Sequence, residues 1–272
     1  MRARHGLVFA IAFVAGLVSS ALSAQEFPTR PITIIVPQPP GGGTDIISRL
    51  VGQQLSIQLG QPVVIENRAG AGTVVGTAAA AHSAPDGYTL LAGLTANMAV
   101  NPSLFAKLPY DSIRDFTAVG MMAEFPFVLV VSKDFAAHSV KDLIALAKSK
   151  PGELNFASAG NGSGQHLSGE LFKLMSGTNL THVPYRGAAA AYADVMTDRT
   201  PVFFDNLASA LGQIKGGNVR AVAVTGKERA PLLPDVPTIA GLVSPDMKTT
   251  CGLVCGRRRR PRGQSSKNST AR

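Results

Sequence analysis

Between residues 32 and 225, short β-branched apolar runs alternate with stretches whose apolar residues recur at helical spacing. Such runs predict buried strands, and such spacing predicts helices packed against a core. The first unit sets the pattern. Ile32-Thr33-Ile34-Ile35-Val36 reads as a strand, and Pro37, Pro39 and Pro40 end it. Gly41, Gly42 and Gly43 then form a loop almost without side chains. Ile46, Ile47, Leu50, Val51 and Leu55 mark one helical face after it, with Thr44 or Asp45 placed as the N-cap. A second strand at 62–65 leads through the glycine-rich stretch 66–73 into an alanine-rich helix at 74–84. Asp86-Gly87 turns the chain into a third strand at 88–92. This alternation predicts a parallel, doubly wound α/β sheet.

Strands at 118–123 and 127–131 flank Glu124-Phe125-Pro126, which reads as a crossing into a second lobe. There Ser139 and Asp142 have capping-box spacing ahead of a helix at 140–150. A strand at 154–157 opens into the small, polar loop Ser158-Ala159-Gly160-Asn161-Gly162-Ser163. The helix that follows, 165–176, carries Leu167, Leu171, Leu174 and Met175 as its apolar stripe. Next come a strand at 181–183, the loop Pro184-Tyr185-Arg186-Gly187 and a helix at 188–197. A strand at 202–204 runs through Asp205 and Asn206 into a helix at 207–215, and 219–225 is a last strand, returning toward the first lobe.

The chemistry lies in the loops. A strand, a glycine loop and a helix start leave free backbone N–H groups and the positive end of a helix dipole facing open space, which suits a small anion. In open parallel sheets such loops sit at the carboxyl ends of the strands, where ligands bind. No Gly-Lys-Ser/Thr follows the glycines, so the first loop is not a nucleotide-binding P-loop. Arg186 stands as either a ligand contact or a surface charge, and Asp205 and Asn206 as either pocket wall or helix cap.

Charge changes the picture only at the ends. The chain carries +9, of which +2 falls in residues 1–24 and +8 in 248–272, leaving −1 for 25–247. The body is therefore not basic and implies no nucleic-acid partner. Arg2 and Arg4 precede the apolar run 7–18 and a small-residue stretch ending near Ala24, the form of a cleavable export signal; a retained signal anchor is the alternative. Both cysteines, Cys251 and Cys255, fall after residue 247, where pairing on oxidation is one reading, so the body uses neither disulfides nor thiolate metal sites.

The stretches PITIIVPQPPGGGTDIISRL, GQPVVIENRAGAGT, APDGYTLL, LNFASAGNGSGQHLSGELFK, HVPYRGAAAA and FFDNLASAL, in order from Phe27 to about Thr238, resemble the Bug family. These are the extracytoplasmic receptors of tripartite tricarboxylate transporters. The resemblance implies a periplasmic-binding-protein fold of type II kind, two α/β lobes closing over one small carboxylate: a di- or tricarboxylate, an acidic amino acid or an aromatic acid. It implies a periplasmic monomer without cofactor or metal, whose partners are that ligand and the membrane permease subunits of the transporter, or a sensor protein. The expected division is a signal peptide over 1–24, lobes over 25–123 and 124–225, a return segment over 226–247 and an atypical basic tail over 248–272. Carried over, one ligand loop is Gly41, Gly42, Gly43, Thr44 and Asp45, and the facing one is Ser158, Ala159, Gly160, Asn161, Gly162 and Ser163. Thr95, Asn97, Tyr185, Arg186, Asp205 and Asn206 are expected as pocket walls.

Two departures qualify that picture. The family continues past this point with a tryptophan-containing segment and C-terminal helices, whereas this chain has no Trp and turns abruptly to Arg257-Arg258-Arg259-Arg260-Pro261-Arg262. A frameshift near Thr250 is the expectation, with no strand or helix period beyond it; a non-functional truncated receptor is the corresponding alternative. A hydrolase using Ser163, His166 and Asp205 is the competing enzyme reading, although Ser163 lies outside a G-x-S-x-G elbow.

Overall fold

The computed structural model describes residues 27–244, 246–247 and 249–259. The leader 1–24 and most of the basic end lie outside the described residues. In chain order the elements are β1 (Ile32–Val36), α1 (Gly43–Leu59), β2 (Val63–Asn67), α2 (Val74–Ala81), β3 (Thr89–Leu94), α3 (Asn101–Leu104) and β4 (Phe116–Ser132). They continue as α4 (Val140–Ser149), β5 (Asn155–Ser158), α5 (Gly164–Ser176), β6 (Thr181–Pro184), α6 (Ala188–Val195), β7 (Val202–Asn206), α7 (Leu207–Lys215), β8 (Val219–Val224) and β9 (Thr250–Arg258). Single tight turns precede α2, at Ala71–Thr73, and α3, at Ala96–Val100.

The strands run in the order β2-β1-β3-β9-β4-β7-β5-β6, with β8 also on β4. β1 is parallel to both β2 and β3, and β5 to both β6 and β7, with a helix between each strand and the next in sequence. β4 belongs to both halves. Its first part pairs with β9 as far as Pro126 opposite Thr250, and from Phe127 onward it pairs with β7 and β8. The residues Glu124-Phe125-Pro126 lie inside one continuous strand, where its partners change, rather than in a break between two strands. Proline fits there because the partner changes at that residue, where a missing N–H costs least.

Each half has apolar residues on both faces, as a sheet clad in helices requires. Ile32, Ile34, Val36 and Leu90 lie on one face of the first half, and Ile35, Leu91 and Phe116 on the other. In the second half Phe156, Phe172 and Phe204 face one side and Tyr192, Phe203 and Leu207 the other.

Several expectations need correction. Residues beyond Thr250 do form a strand: β9 lies in the middle of the sheet, antiparallel to β3 and β4, with Leu253 and Cys255 buried. The period of two was present in Leu253 and Cys255, two residues apart, but the arginines after it masked the signal. Cys251 and Cys255 therefore stand four residues apart on one extended strand, roughly 13 Å, too far for a disulfide. Cys255 is a free thiol, pushed up to about 11 by burial.

Segment 226–247 does not return to the first lobe, because Ile239 and Met247 are buried in the core of the second. Ile239 N–H donates to the Val224 carbonyl at 2.8 Å, and the crossing back occurs only at Thr249–Thr250.

Two helical faces are also rotated from the expected stripes. On α1 the buried residues are Gly43, Thr44, Asp45, Ser48 and Gly52, while Leu50 is 56% exposed. On α5 they are Gln165, Ser168, Gly169 and Phe172, and Leu174 is 79% exposed. Close approach decides both cases: α1 packs against α7 of the other lobe, and Ser168 meets Thr249 at 3.0 Å.

Candidate functional site

A cleft of ≈ 690 Å³ opens between the halves, walled by residues 37–105 on one side and 159–206 on the other. The N-cap residues of five helices line it. These are Gly42 of α1, Thr73 of α2, Ser163 of α5, Gly187 of α6 and Asn206 of α7. The parallel strands that end at the cleft each hand the chain to a helix there, so the helix starts converge by topology. Four of the five caps make no side-chain hydrogen bond to their helix; only Ser163 does, its Oγ accepting the His166 N–H at 3.2 Å. The first-turn N–H groups of a helix have no partner within it, so α1, α6 and α7 turn free donors and positive dipole ends toward the cleft, whereas at α2 the Val74 and Val75 N–H groups donate to the Ala71 and Gly70 carbonyls. Among the residues lining it, Arg186 is the only charged one, and no carboxylate is present.

Of the residues expected from sequence, Gly42, Ala159, Gly160, Asn161, Ser163, Tyr185, Arg186 and Asn206 line this cleft. Thr44 and Thr95 line a smaller adjoining cavity of ≈ 260 Å³, which Asn206 shares. The remaining seven line neither cavity. Gly41 and Asp45 support the first loop: Asp45 Oδ2 accepts the Gly41 N–H at 3.0 Å and Arg49 Nε at 3.1 Å, while Oδ1 accepts Asn67 Nδ2 at 3.0 Å. Burial pushes the Asp45 carboxyl up, but those donors outweigh it and hold it below its ordinary range. Asp45 is a brace rather than the helix cap, which is Gly42.

Gly43 packs closely against the opposite lobe. A Cβ added there would lie 2.9 Å from both Cβ and Nδ2 of Asn206, on the opposite lobe. Asn97 is fully buried, its Oδ1 accepting the Leu94 N–H at 2.6 Å and its Nδ2 donating to Thr77 at 2.9 Å. Asp205 is fully buried as well, receiving Tyr192 Oη at 2.9 Å, Ser209 Oγ at 2.5 Å and Gln165 Nε2 at 3.3 Å. Burial pushes its carboxyl up against those three donors.

Ser158 and Gly162 back the second loop through two histidines. Ser158 Oγ lies 2.7 Å from His182 Nε2 and accepts the Gly160 N–H at 3.0 Å. Gly162 N–H donates to His166 Nδ1 at 3.2 Å, and the two imidazoles stack with centroids 4.0 Å apart. Burial and the neighbouring His166 lower His182 to about 4; burial lowers His166 as well. Ser163, His166 and Asp205 thus face different partners and form no proton relay. Among the described residues no cluster of three His, Cys, Asp or Glu could hold a metal, and no helix is long and apolar enough to cross a membrane.

The sequence reading missed the third wall, Ala69 to Thr73, and also Gln38, Phe105 and Gln165. The glycines of that wall were visible. Gln165 and Phe105 carried no signal, because only the folding-back of α3 and α5 brings them to the cleft.

Two α/β lobes joined through a shared strand around a donor-lined cleft define a periplasmic-binding-protein fold, a binding architecture rather than a catalytic one. The chain belongs to the tripartite tricarboxylate transporter family receptors, whose family model matches residues 47–262. It is similar to protein BugT of Bordetella pertussis, 42% identical over 84% of this chain and 71% of that one. Among solved structures, an R. palustris protein with adipate superposes with a TM-score of 0.84 at 37% identity, over 86% of this chain and 78% of that one. MatC of Rhodopseudomonas palustris with bound malate gives 0.79 at 32% identity, over 86% and 79%. These relatives are substrate-binding receptors, and the chain is not an enzyme.

Proposed function

We propose that this chain is a periplasmic receptor that captures a small carboxylate in the interlobe cleft and presents the closed form to permease subunits of a tripartite tricarboxylate transporter. The observation that carries this reading is the convergence of five helix N-caps, four without side-chain partners, on a cleft lined by no acid. Such an array holds a carboxylate through N–H donors, hydroxyls and water, with Arg186 adding one charge at the rim. Malate and adipate, carried by the two solved relatives, support di-acids as the class. In this reading the leader 1–24 directs export to the periplasm, and closure about β4 is what the membrane partner senses.

The test is a thermal melt of the exported chain against a panel of di- and tricarboxylates, aromatic acids and acidic amino acids. A ligand at a hundred times its dissociation constant adds about 2.7 kcal/mol, several degrees for a chain this size. A shift with one acid class supports the reading, and a cooperative melt that no acid moves refutes it.

A further inference from the structure

Two histidines grip the second cleft loop from behind, and neither lines a cavity. His166 stands in the first turn of α5, and its Nδ1 accepts the Gly162 N–H at 3.2 Å. At the other end of the loop, Ser158 Oγ lies 2.7 Å from His182 Nε2 and accepts the Gly160 N–H at 3.0 Å. Between these anchors Gly160 and Gly162 take φ of +123° and +74°, in the region that glycine alone enters readily. Asn161, between them, lines the cleft. Gly162 is also where the lobes meet: a Cβ added there would lie 2.8 Å from Leu104 Cδ2 and 3.4 Å from Val100 Cγ1, both of the first lobe.

We infer that His166 is a positioning residue for ligand capture: its unprotonated Nδ1 holds Gly162 in the shape that closes the cleft, and a proton there frees the loop and weakens binding. The effect on affinity rests on the carboxylate reading above. A backbone N–H can only donate, so Nδ1 carries no proton and the ring hydrogen stands on Nε2, 3.9 Å from Glu170 Oε1. A proton added at Nδ1 sets two donors against each other, at the residue packed on Leu104 of the other lobe. The His166 side chain is 23% exposed, so a proton reaches it without unfolding. The charged and titratable groups that face the ring among the described residues are Glu170 and Lys173 of α5, paired at 2.9 Å, and His182 of β6, stacked at 4.0 Å. Phe156 of β5 stacks at 6.5 Å and is uncharged, as are Leu104 and Val100. Burial, against the pull of Glu170, keeps His166 below its ordinary value of 6.5, so the grip holds at neutral pH and loosens in acid. The gripped, closed form binds fewer protons than the released one, and affinity therefore falls as pH falls.

The test measures protection of the Gly162 N–H against hydrogen exchange in the whole unliganded chain, from about pH 7.5 to about pH 5, corrected for the intrinsic pH dependence. Wild type is compared with His166→Asn, whose Oδ1 is an acceptor near the place of Nδ1 and takes no proton. Protection in the wild type falls about tenfold as His166 titrates, and in His166→Asn it stays level. Calorimetric titration with malate at both ends of the range is the second readout. Wild-type affinity falls in acid by about tenfold more than that of His166→Asn, for which the titration of malate itself is the same. His166→Leu, with no acceptor, binds malate weakly at both pH values. Gly162 protection that ignores pH in the wild type overturns the inference. Equal acid loss of affinity in wild type and His166→Asn, or wild-type affinity in His166→Leu, also overturns it while leaving the carboxylate reading standing. If malate binds at neither pH, the wider acid panel decides the carboxylate reading and Gly162 protection alone decides the inference. Should the variants not fold, the wild-type protection profile decides.

Discussion

Thr225 Oγ1 accepts the Phe127 N–H at 2.9 Å and donates to the Thr249 carbonyl at 2.6 Å. One buried hydroxyl thus ties the strand that crosses between lobes to both segments flanking the second crossing. Its own N–H donates to the Phe127 carbonyl at 2.9 Å, and Thr249 N–H to the Thr225 carbonyl at 3.2 Å. The hinge is fixed here, at the point where β4 exchanges β9 for β7 and β8.

Replacing that hydroxyl by a methyl tests the hinge. Thr225→Val keeps the shape but leaves the Phe127 N–H and the Thr249 carbonyl buried without their partner, at a cost of roughly 1–3 kcal/mol. The midpoint of chemical unfolding should fall accordingly. An unchanged midpoint would show that the hydroxyl does not hold the crossing.

Closure passes through glycine. In Gly43→Ala the new Cβ meets the Asn206 Cβ at 2.9 Å, and the contact is relieved by parting the lobes. Overpacking of this kind costs roughly 1–3 kcal/mol, which should appear as a ten- to hundredfold loss of ligand affinity by calorimetry. The melt of the unliganded chain should be little changed, because alanine suits a first helical turn.

Acid weakens the second lobe through the histidine stack. His182 titrates near 4 in the folded chain because of burial and His166, against an ordinary value near 6.5. The folded state therefore binds fewer protons than the unfolded one. This contribution is intact above about pH 6.5 and is lost as pH falls toward 4, roughly 2–3 kcal/mol by pH 4.5. His182→Gln should remove that part of the slope between pH 6.5 and 4.5 in denaturant melts. Identical slopes would mean the stack is not desolvated as described.

Arg186 adds charge but not the site. It is exposed and forms no ion pair among the described residues, so its pull on a ligand is screened by water and salt. Arg186→Met should weaken carboxylate binding about twofold to fivefold at low salt and less at high salt, as titrations at the two ionic strengths would record. Complete loss would make the arginine, not the backbone, the anchor.

Much of this was legible in the sequence because backbone-driven features announce themselves. Gly41 to Gly43 and Ser158 to Ser163 were visible as bulk-free loops before helices, and Pro126 falls where β4 changes partners. The capping box at Ser139 was legible too, its Oγ accepting the Asp142 N–H at 3.1 Å. What stayed hidden depended on tertiary contact. On α1 small residues rather than leucines face inward, since α7 of the other lobe comes too close for larger side chains, and on α5 Ser168 and Gly169 share the buried face with Gln165 and Phe172. Asn97 and Asp205 looked like pocket polar groups, yet they serve buried partners, several of them, such as Thr77, Tyr192 and Gln165, distant in sequence. β9 was concealed by its charge-rich end, although Leu253 and Cys255 carried the strand period.

The central claim is that a carboxylate sits on converging helix N-termini. Backbone amide resonances followed during titration with malate test it most directly, since a hydrogen-bonded N–H moves when its acceptor arrives. The account predicts saturable shifts at Gly42, Gly43, Gly187 and Ala188, with smaller ones along α4, remote from the cleft. Shifts that do not saturate, or that are confined to the arginines at the end of β9, would contradict it.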